Sequence, residues 1–149
     1  MSAYYEAVQR IERLHRSFLD VLKAELDRAS VQDINNVQAM ILYNIGADDL
    51  TVGELTARGY YLGSNVSYNV KKMVEAGYLE QERSQHDKRS VRVRASDKGR
   101  GLVERVEGMI ARHEEALADS RVTPEALDTL NATLGRLERF WGRQSGGAL

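Results

Sequence analysis

Between Ser64 and Glu75 a single short segment specifies two faces at once. Val66, Val70, Met73 and Val74 recur at i, i+4, i+7 and i+8, the spacing of one buried helix face. The other face carries Asn65, Tyr68, Asn69 and Lys72, flanked by Ser64, Ser67 and Lys71, with no carboxylate before Glu75. Every one of these side chains can hydrogen-bond or meet a phosphate. Asparagine can also bond an adenine edge with both ends of its amide. A face that is only solvated usually mixes acids with bases. The absence of acids therefore weights the reading toward a nucleic-acid partner, with a solvated polar face as the alternative.

The flanking sequence gives this helix a context. Leu50 to Gly59 is predicted as a short helix opened by Thr51, with Glu54 three residues on in the capping-box position. Gly59 and Gly63 bracket a tight turn, and Ser64 is predicted to cap the helix that runs to Glu75. Two short helices joined in this way form the sequence signature of a helix-turn-helix. Tyr78–Arg83 and Ser90–Ala95 then read as two strands of a hairpin, the second alternating Val91, Val93 and Ala95 with Ser90, Arg92 and Arg94. Between Arg83 and Arg100 there are seven Lys/Arg against Asp87 and Asp97. Asp87 stands two residues before Arg89 and can orient it, which suits insertion into a narrow minor groove. The plainer alternative for that pair is a surface salt bridge worth under ~1 kcal/mol.

The outer segments are helical by period. Tyr4, Val8, Ile11, His15, Phe18, Leu22 and Leu26 mark a helix over about 3–28, and a second is predicted from about Asp33 to Ile45. Ser96 opens a long helix over about 97–118. Thr123 and Pro124 open the last one, whose stripe is Leu127, Leu130, Leu134, Leu137 and Trp141. The central module is too small to cover the first and last stripes, so pairing with a second copy is expected. The order predicts a mainly α fold with a small β-hairpin wing: a winged helix-turn-helix with N- and C-terminal dimerisation helices. Residues 1–149 are expected as one domain, about 33–101 forming the DNA-binding core and about 1–30 and 102–145 the dimerisation helices.

Charge agrees with that division. Residues 50–101 hold ten Lys/Arg and six Asp/Glu, a local +4 within a chain of net charge −1. There is no cysteine, which removes disulfides, thiolate nucleophiles and cysteine-held zinc. No apolar run reaches membrane-spanning length and the N-terminus lacks a signal-peptide pattern, so the expected location is the cytoplasm, with no membrane partner.

The stretch GYLEQERSQHDKRSVRVRASDKGRGLV resembles the wing and following helix of the MarR family, with Gly77, Asp87, Arg89, Val91, Val93, Ser96, Lys98, Gly99 and Arg100 at the family's places. LTVGELTARG upstream resembles the first helix of the family's motif. The resemblance implies a homodimeric transcription regulator that reads palindromic double-stranded DNA. The Ser64–Glu75 helix would lie in the major groove and Arg89 in the minor groove, with Lys88 and Arg92 beside it. It also implies a small aromatic effector in a cleft for which His15, Phe18 and Tyr43 are candidates; core packing is the other reading of all three. Tyr60 and Tyr61, which occupy the turn, are further candidates for a ligand cavity or for local packing. The chain departs from the family where Asn69 replaces a common leucine.

An enzyme is not expected. His15, His86 and His113 lie on three different elements without metal spacing, and neither a phosphate-cradling loop nor a nucleophile elbow is present. No cofactor is implied. Two rival readings are a winged-helix module for protein contacts, which calls for an apolar outer face, and an architectural protein indifferent to DNA sequence.

Overall fold

A computed structural model of the chain describes residues 1–58, 63–83 and 90–146. Its elements run α1 (Ala3–Arg28), α2 (Asn36–Ile45), β1 (Leu50–Thr51), α3 (Val52–Ala57), α4 (Gly63–Glu75), β2 (Leu79–Arg83), β3 (Val91–Ala95), α5 (Asp97–Leu117) and α6 (Pro124–Gln144). The chain divides into two compact units, Met1–Met109 and Ile110–Leu149, and α5 runs from one into the other. Among the described residues no helix is long and apolar enough to cross a membrane.

In the first unit the core gathers one side of every element from the end of α1 to the start of α5. Ile41, Leu42, Leu55, Val66 and Val93 are fully buried there. Each such side chain contributes about 1.5–3 kcal/mol relative to exposure. The predicted inner face of α4 is the observed one, since Val66, Val70 and Met73 are all buried. Its end is fixed by local geometry: Gly77 adopts φ +85°, Tyr78 N donates to Met73 O at 2.9 Å, and Gly77 N donates to Val74 O at 3.1 Å. This paired closure uses carbonyls that would otherwise lack donors at a helix end.

Three boundaries differ from the sequence expectation. The second helix begins at Asn36, not near Asp33, because Asn35 and Gln38 form a reciprocal capping box: Gln38 N donates to Asn35 Oδ1 at 2.8 Å and Asn35 N to Gln38 Oε1 at 3.1 Å. Helix α4 starts at Gly63, so Ser64 is its second residue and not its cap. Leu50–Thr51, expected to lead directly into a helix, form a short strand instead. The wing is therefore a three-stranded antiparallel sheet in the order β1-β3-β2, with Leu50 opposite Val93 and Gln81 opposite Val93 from the other side. Thr51 still caps α3, accepting from Glu54 N at 3.0 Å.

The terminal helices bury little. Only Leu22, Glu25 and Leu26 of α1 are buried, while Tyr4 and Leu14 are 51% and 65% exposed. Glu25 lies between Arg28 and Arg105, each at 3.4 Å, so α1 is clipped to α5 within the first unit. In the second unit α6 starts from the predicted cap, Thr123 Oγ1 accepting from Ala126 N at 3.1 Å, yet none of its residues is buried. Leu130 and Phe140 are 47% and 40% exposed.

Candidate nucleic-acid interface

With Val66, Val70 and Met73 in the core and Val74 packed against it, α4 turns Asn65, Ser67, Tyr68, Lys71 and Lys72 outward. Tyr68 is 60% exposed, an unusual position for a phenol unless something covers it. The Lys72 ammonium sits 5.7 Å from the Tyr68 ring centroid and 3.8 Å from Glu75, so it leans across the C-terminal half of the face. Ser64 lies in the first turn of the same helix.

Asn69 is placed differently. It is half-buried, its Oδ1 accepts from Gln38 Nε2 on α2 at 3.1 Å, and its Nδ2 donates to the Asn65 carbonyl at 2.9 Å. Its amide is used inside the fold at both ends. The polar residue at this position is therefore matched by a polar partner, a pairing invisible from α4 alone.

The wing corrects the picture of a bare basic strand. Val93 and Ala95 face the core as expected. Arg92, however, is held by Asp49, Nε to Oδ1 at 3.0 Å and a terminal nitrogen to the Asp49 carbonyl at 2.7 Å. Arg94 meets Glu80 at 3.2 Å and Glu82 at 3.5 Å across the strand pair. Arg58 pairs with Asp48 at 3.1 Å, Lys98 with Asp33 at 2.6 Å, and Arg100 with Asp97. Among the described residues, Lys71 and Arg83 are the cations of this region without an ion pair. Lys88 and Arg89 lie outside the described residues, as do Tyr60 and Tyr61.

The candidate effector residues do not share a described cavity. His15 is exposed, Phe18 is half-buried, and Tyr43 packs against the core from its edge. The hollow beside the end of α1 and the start of α2 has a volume of about 300 Å³ and is lined by Lys23, Leu26, Val31, Ile34 and neighbours, none of them these three.

A junction that sequence reading missed lies behind the wing. Tyr78 donates its hydroxyl to Asp33 Oδ1 at 2.5 Å, while Lys98 Nζ reaches Asp33 Oδ2 at 2.6 Å and the Ala76 carbonyl at 2.9 Å. The ammonium also lies 4.4 Å from the Tyr78 ring centroid. The hydrogen bonds from Lys98 and then Tyr78 hold the Asp33 carboxyl below its ordinary range. Burial, followed by the adjacent Asp33 carboxylate, pushes the Tyr78 phenol up. The three partners come from the α1–α2 connection, the end of the α4 turn and the first turn of α5. Charge at Asp33 thereby ties the helix-turn-helix to its neighbours.

A helix-turn-helix whose second helix presents a polar outer face, followed by an antiparallel wing, defines the winged helix-turn-helix class. The MarR family profile matches residues 32–90. The chain is 42% identical over 139 residues to the exopolysaccharide II synthesis transcriptional activator ExpG of Rhizobium meliloti (strain 1021), spanning 93% of this chain and 72% of that protein. The chain belongs to the MarR family; it is a transcription regulator and not an enzyme. Solved structures share the fold. Streptococcus pneumoniae FabT in complex with DNA superposes with a TM-score of 0.74 at 20% identity, covering 95% of this chain and 99% of that one. A mutant MarR from E. coli complexed with operator DNA gives 0.70 at 18% identity, covering 92% and 99%.

Proposed function

We propose that this regulator is a homodimer that reads a two-fold symmetric DNA operator. Helix α4 of each copy enters the major groove, and the wing tip with Lys88 and Arg89 enters the adjacent minor groove. Half-sites then lie about one helical turn, ~10 base pairs, apart. The observation that carries this reading is the outward face of α4: Asn65, Ser67, Tyr68, Lys71 and Lys72 stand exposed together, with no acid before Glu75. Asn65, Ser67 and Tyr68 are assigned to base edges, and Lys71 and Lys72 to phosphates. Asn69 and Arg92 are assigned to holding the fold, because hydrogen bonds to Gln38, to the Asn65 carbonyl and to Asp49 already hold them. FabT and MarR, which share the fold, were solved on DNA.

The dimer part rests on the uncovered apolar residues of the terminal helices, Leu14 on α1 and Leu130 and Phe140 on α6. Residues 33–101 form the DNA-binding part, and residues 1–30 and 102–145 the pairing surface. The test is selection from a pool of random duplexes by the purified chain. An enriched palindrome with half-sites about one turn apart is expected. Strong salt-sensitive binding without enrichment would replace this reading with a sequence-indifferent one.

A further inference from the structure

The apolar underside of α4 does not by itself fix which way its outer face points. Burial of Val66, Val70 and Met73 is non-directional, and a helix can roll on such contacts at modest cost. A hydrogen bond cannot, since it weakens steeply with distance and angle. With side chains a helix is about 5–6 Å in radius, so a roll of roughly 20° carries an outward tip about 2 Å sideways. That displacement exceeds the tolerance of roughly 0.5 Å within which a recognition group must be held.

We infer that Gln38 is a positioning residue for DNA recognition: through Asn69 it sets the rotation of α4 and so decides which side chains meet the bases. Gln38 is 8% exposed and is itself fixed at both ends of its amide. Its Oε1 accepts from Asn35 N at 3.1 Å within the α2 cap, and its Nε2 donates to Asn69 Oδ1 at 3.1 Å. Asn69 passes the constraint into α4 by donating to the Asn65 carbonyl at 2.9 Å, one turn earlier and next to the outward Asn65 side chain. The neighbouring residue of the same cap, Asn36, donates to the Leu19 carbonyl of α1 at 3.0 Å. Asn36 thus ties the start of α2 to α1, and Gln38, two residues on, ties the same cap to the outward-facing helix. The last link joins Asn65 and Asn69, in the turn of α4 that also carries the outward side chains of Asn65 and Tyr68. No buried side-chain nitrogen or oxygen among the described residues lacks a hydrogen-bond partner, so the relay is complete as it stands.

This inference rests on the DNA-binding reading above, and its test separates the two. Gln38→Leu, Asn69→Leu and the double variant are compared with the unaltered full chain by three measurements. These are melting temperature, affinity for the enriched duplex and for a random one at fixed salt, and hydrogen exchange of α4 amides without DNA. Gln38→Leu is expected to lower the ratio of specific to random affinity about tenfold. Random affinity should change less than about twofold, and the double variant should lose no more than either single one. Exchange across Asn69–Met73 should quicken about tenfold relative to α5. If Asn69 were a base reader instead, Asn69→Leu would cost specificity and Gln38→Leu would not. A lower melting temperature with an unchanged affinity ratio and unchanged relative exchange would reduce the pair to a structural contact and overturn the inference. If the unaltered chain binds no DNA, the functional reading fails on that result. The exchange measurement then decides alone whether Gln38 fixes α4.

Discussion

Arg92 and Asp49 are joined twice: the arginine Nε meets the Asp49 carboxylate at 3.0 Å, and a terminal guanidinium nitrogen meets the Asp49 backbone carbonyl at 2.7 Å. The two residues flank the β1–β3 pairing, where Thr51 lies opposite Arg92, so the arginine closes the added strand onto the wing. Arg92→Ala should therefore loosen the wing slightly, by about 0–1 kcal/mol for a pair this exposed. It should leave the salt dependence of DNA binding almost unchanged. Lys71→Ala, at a lysine without an ion pair among the described residues, should instead lower the salt slope by about 1 and weaken binding to all sequences alike. Titrations of each variant at several salt concentrations compare the two.

Gly99 lies against the backbone of Tyr78. A Cβ there would press into the Tyr78 carbonyl oxygen, which already accepts from Ser96 N at 3.0 Å. Gly99→Ala must push α5 away from the turn that ends α4, at a cost of about 1–3 kcal/mol. Gly101 is the control, since a Cβ meets nothing within 4 Å there. Gly101→Ala, inside the same helix, should stabilise by about 0.5–1 kcal/mol. Opposite shifts in urea midpoint for the two variants are expected.

These details show which parts of the fold were legible in the sequence. The helices were, because period and caps are local: Thr51, Thr123 and the glycine at 77 act within a few residues of themselves. The outward face of α4 was legible for the same reason. Strand β1 was not, because two residues carry no alternation and Leu50–Thr51 become a strand only through pairing with Val93 and Arg92. The start expected for α2 is too early, although its Asn35–Gln38 capping box is itself a local pattern; the partners of Asp33, in contrast, lie 45 and 65 residues away in sequence. The basic surplus was visible as a count. Its neutralisation was not, since Asp48, Asp49 and Asp33 reach it from outside the counted stretch. Asn69 read as one more outward amide because its partner, Gln38, belongs to another helix.

Asp33 gives stability a defined acid limb. Its carboxyl is held below the usual range in the folded chain, so the unfolded chain takes up the proton first. The contribution is complete above the ordinary carboxylate value of about 4 and is lost as pH falls through the lower folded value. Asp33→Asn should flatten the urea midpoint against pH below about 5. Tyr78 acts at the other end. Its raised phenol favours the neutral form in the fold, so its contribution holds below about pH 10 and fades as pH rises beyond it. Tyr78→Phe should flatten that alkaline limb and leave the acid one dependent on Lys98.

The terminal stripes predict a separation of stability from assembly. Leu55 is fully buried, and Leu55→Ala should cost about 2–5 kcal/mol of folding stability. Leu130 is 47% exposed in the single chain, so Leu130→Glu should cost little in the fold of one copy. It should instead shift sedimentation from dimer toward monomer and weaken DNA binding through loss of the second half-site. A dimer undisturbed by Leu130→Glu together with Leu14→Glu would place the pairing surface elsewhere.

The most direct measurement is binding of the full chain to its enriched duplex across a range of salt, with the number of chains per duplex counted in the same samples. Two chains per duplex are expected, with a log–log slope of several units set by lysines and arginines on phosphates. Ser67→Glu, which puts a carboxylate on the acid-free face of α4, should abolish the binding while the chain stays folded. Binding that survives Ser67→Glu at full strength, or that ignores salt, would contradict the claim that α4 meets DNA.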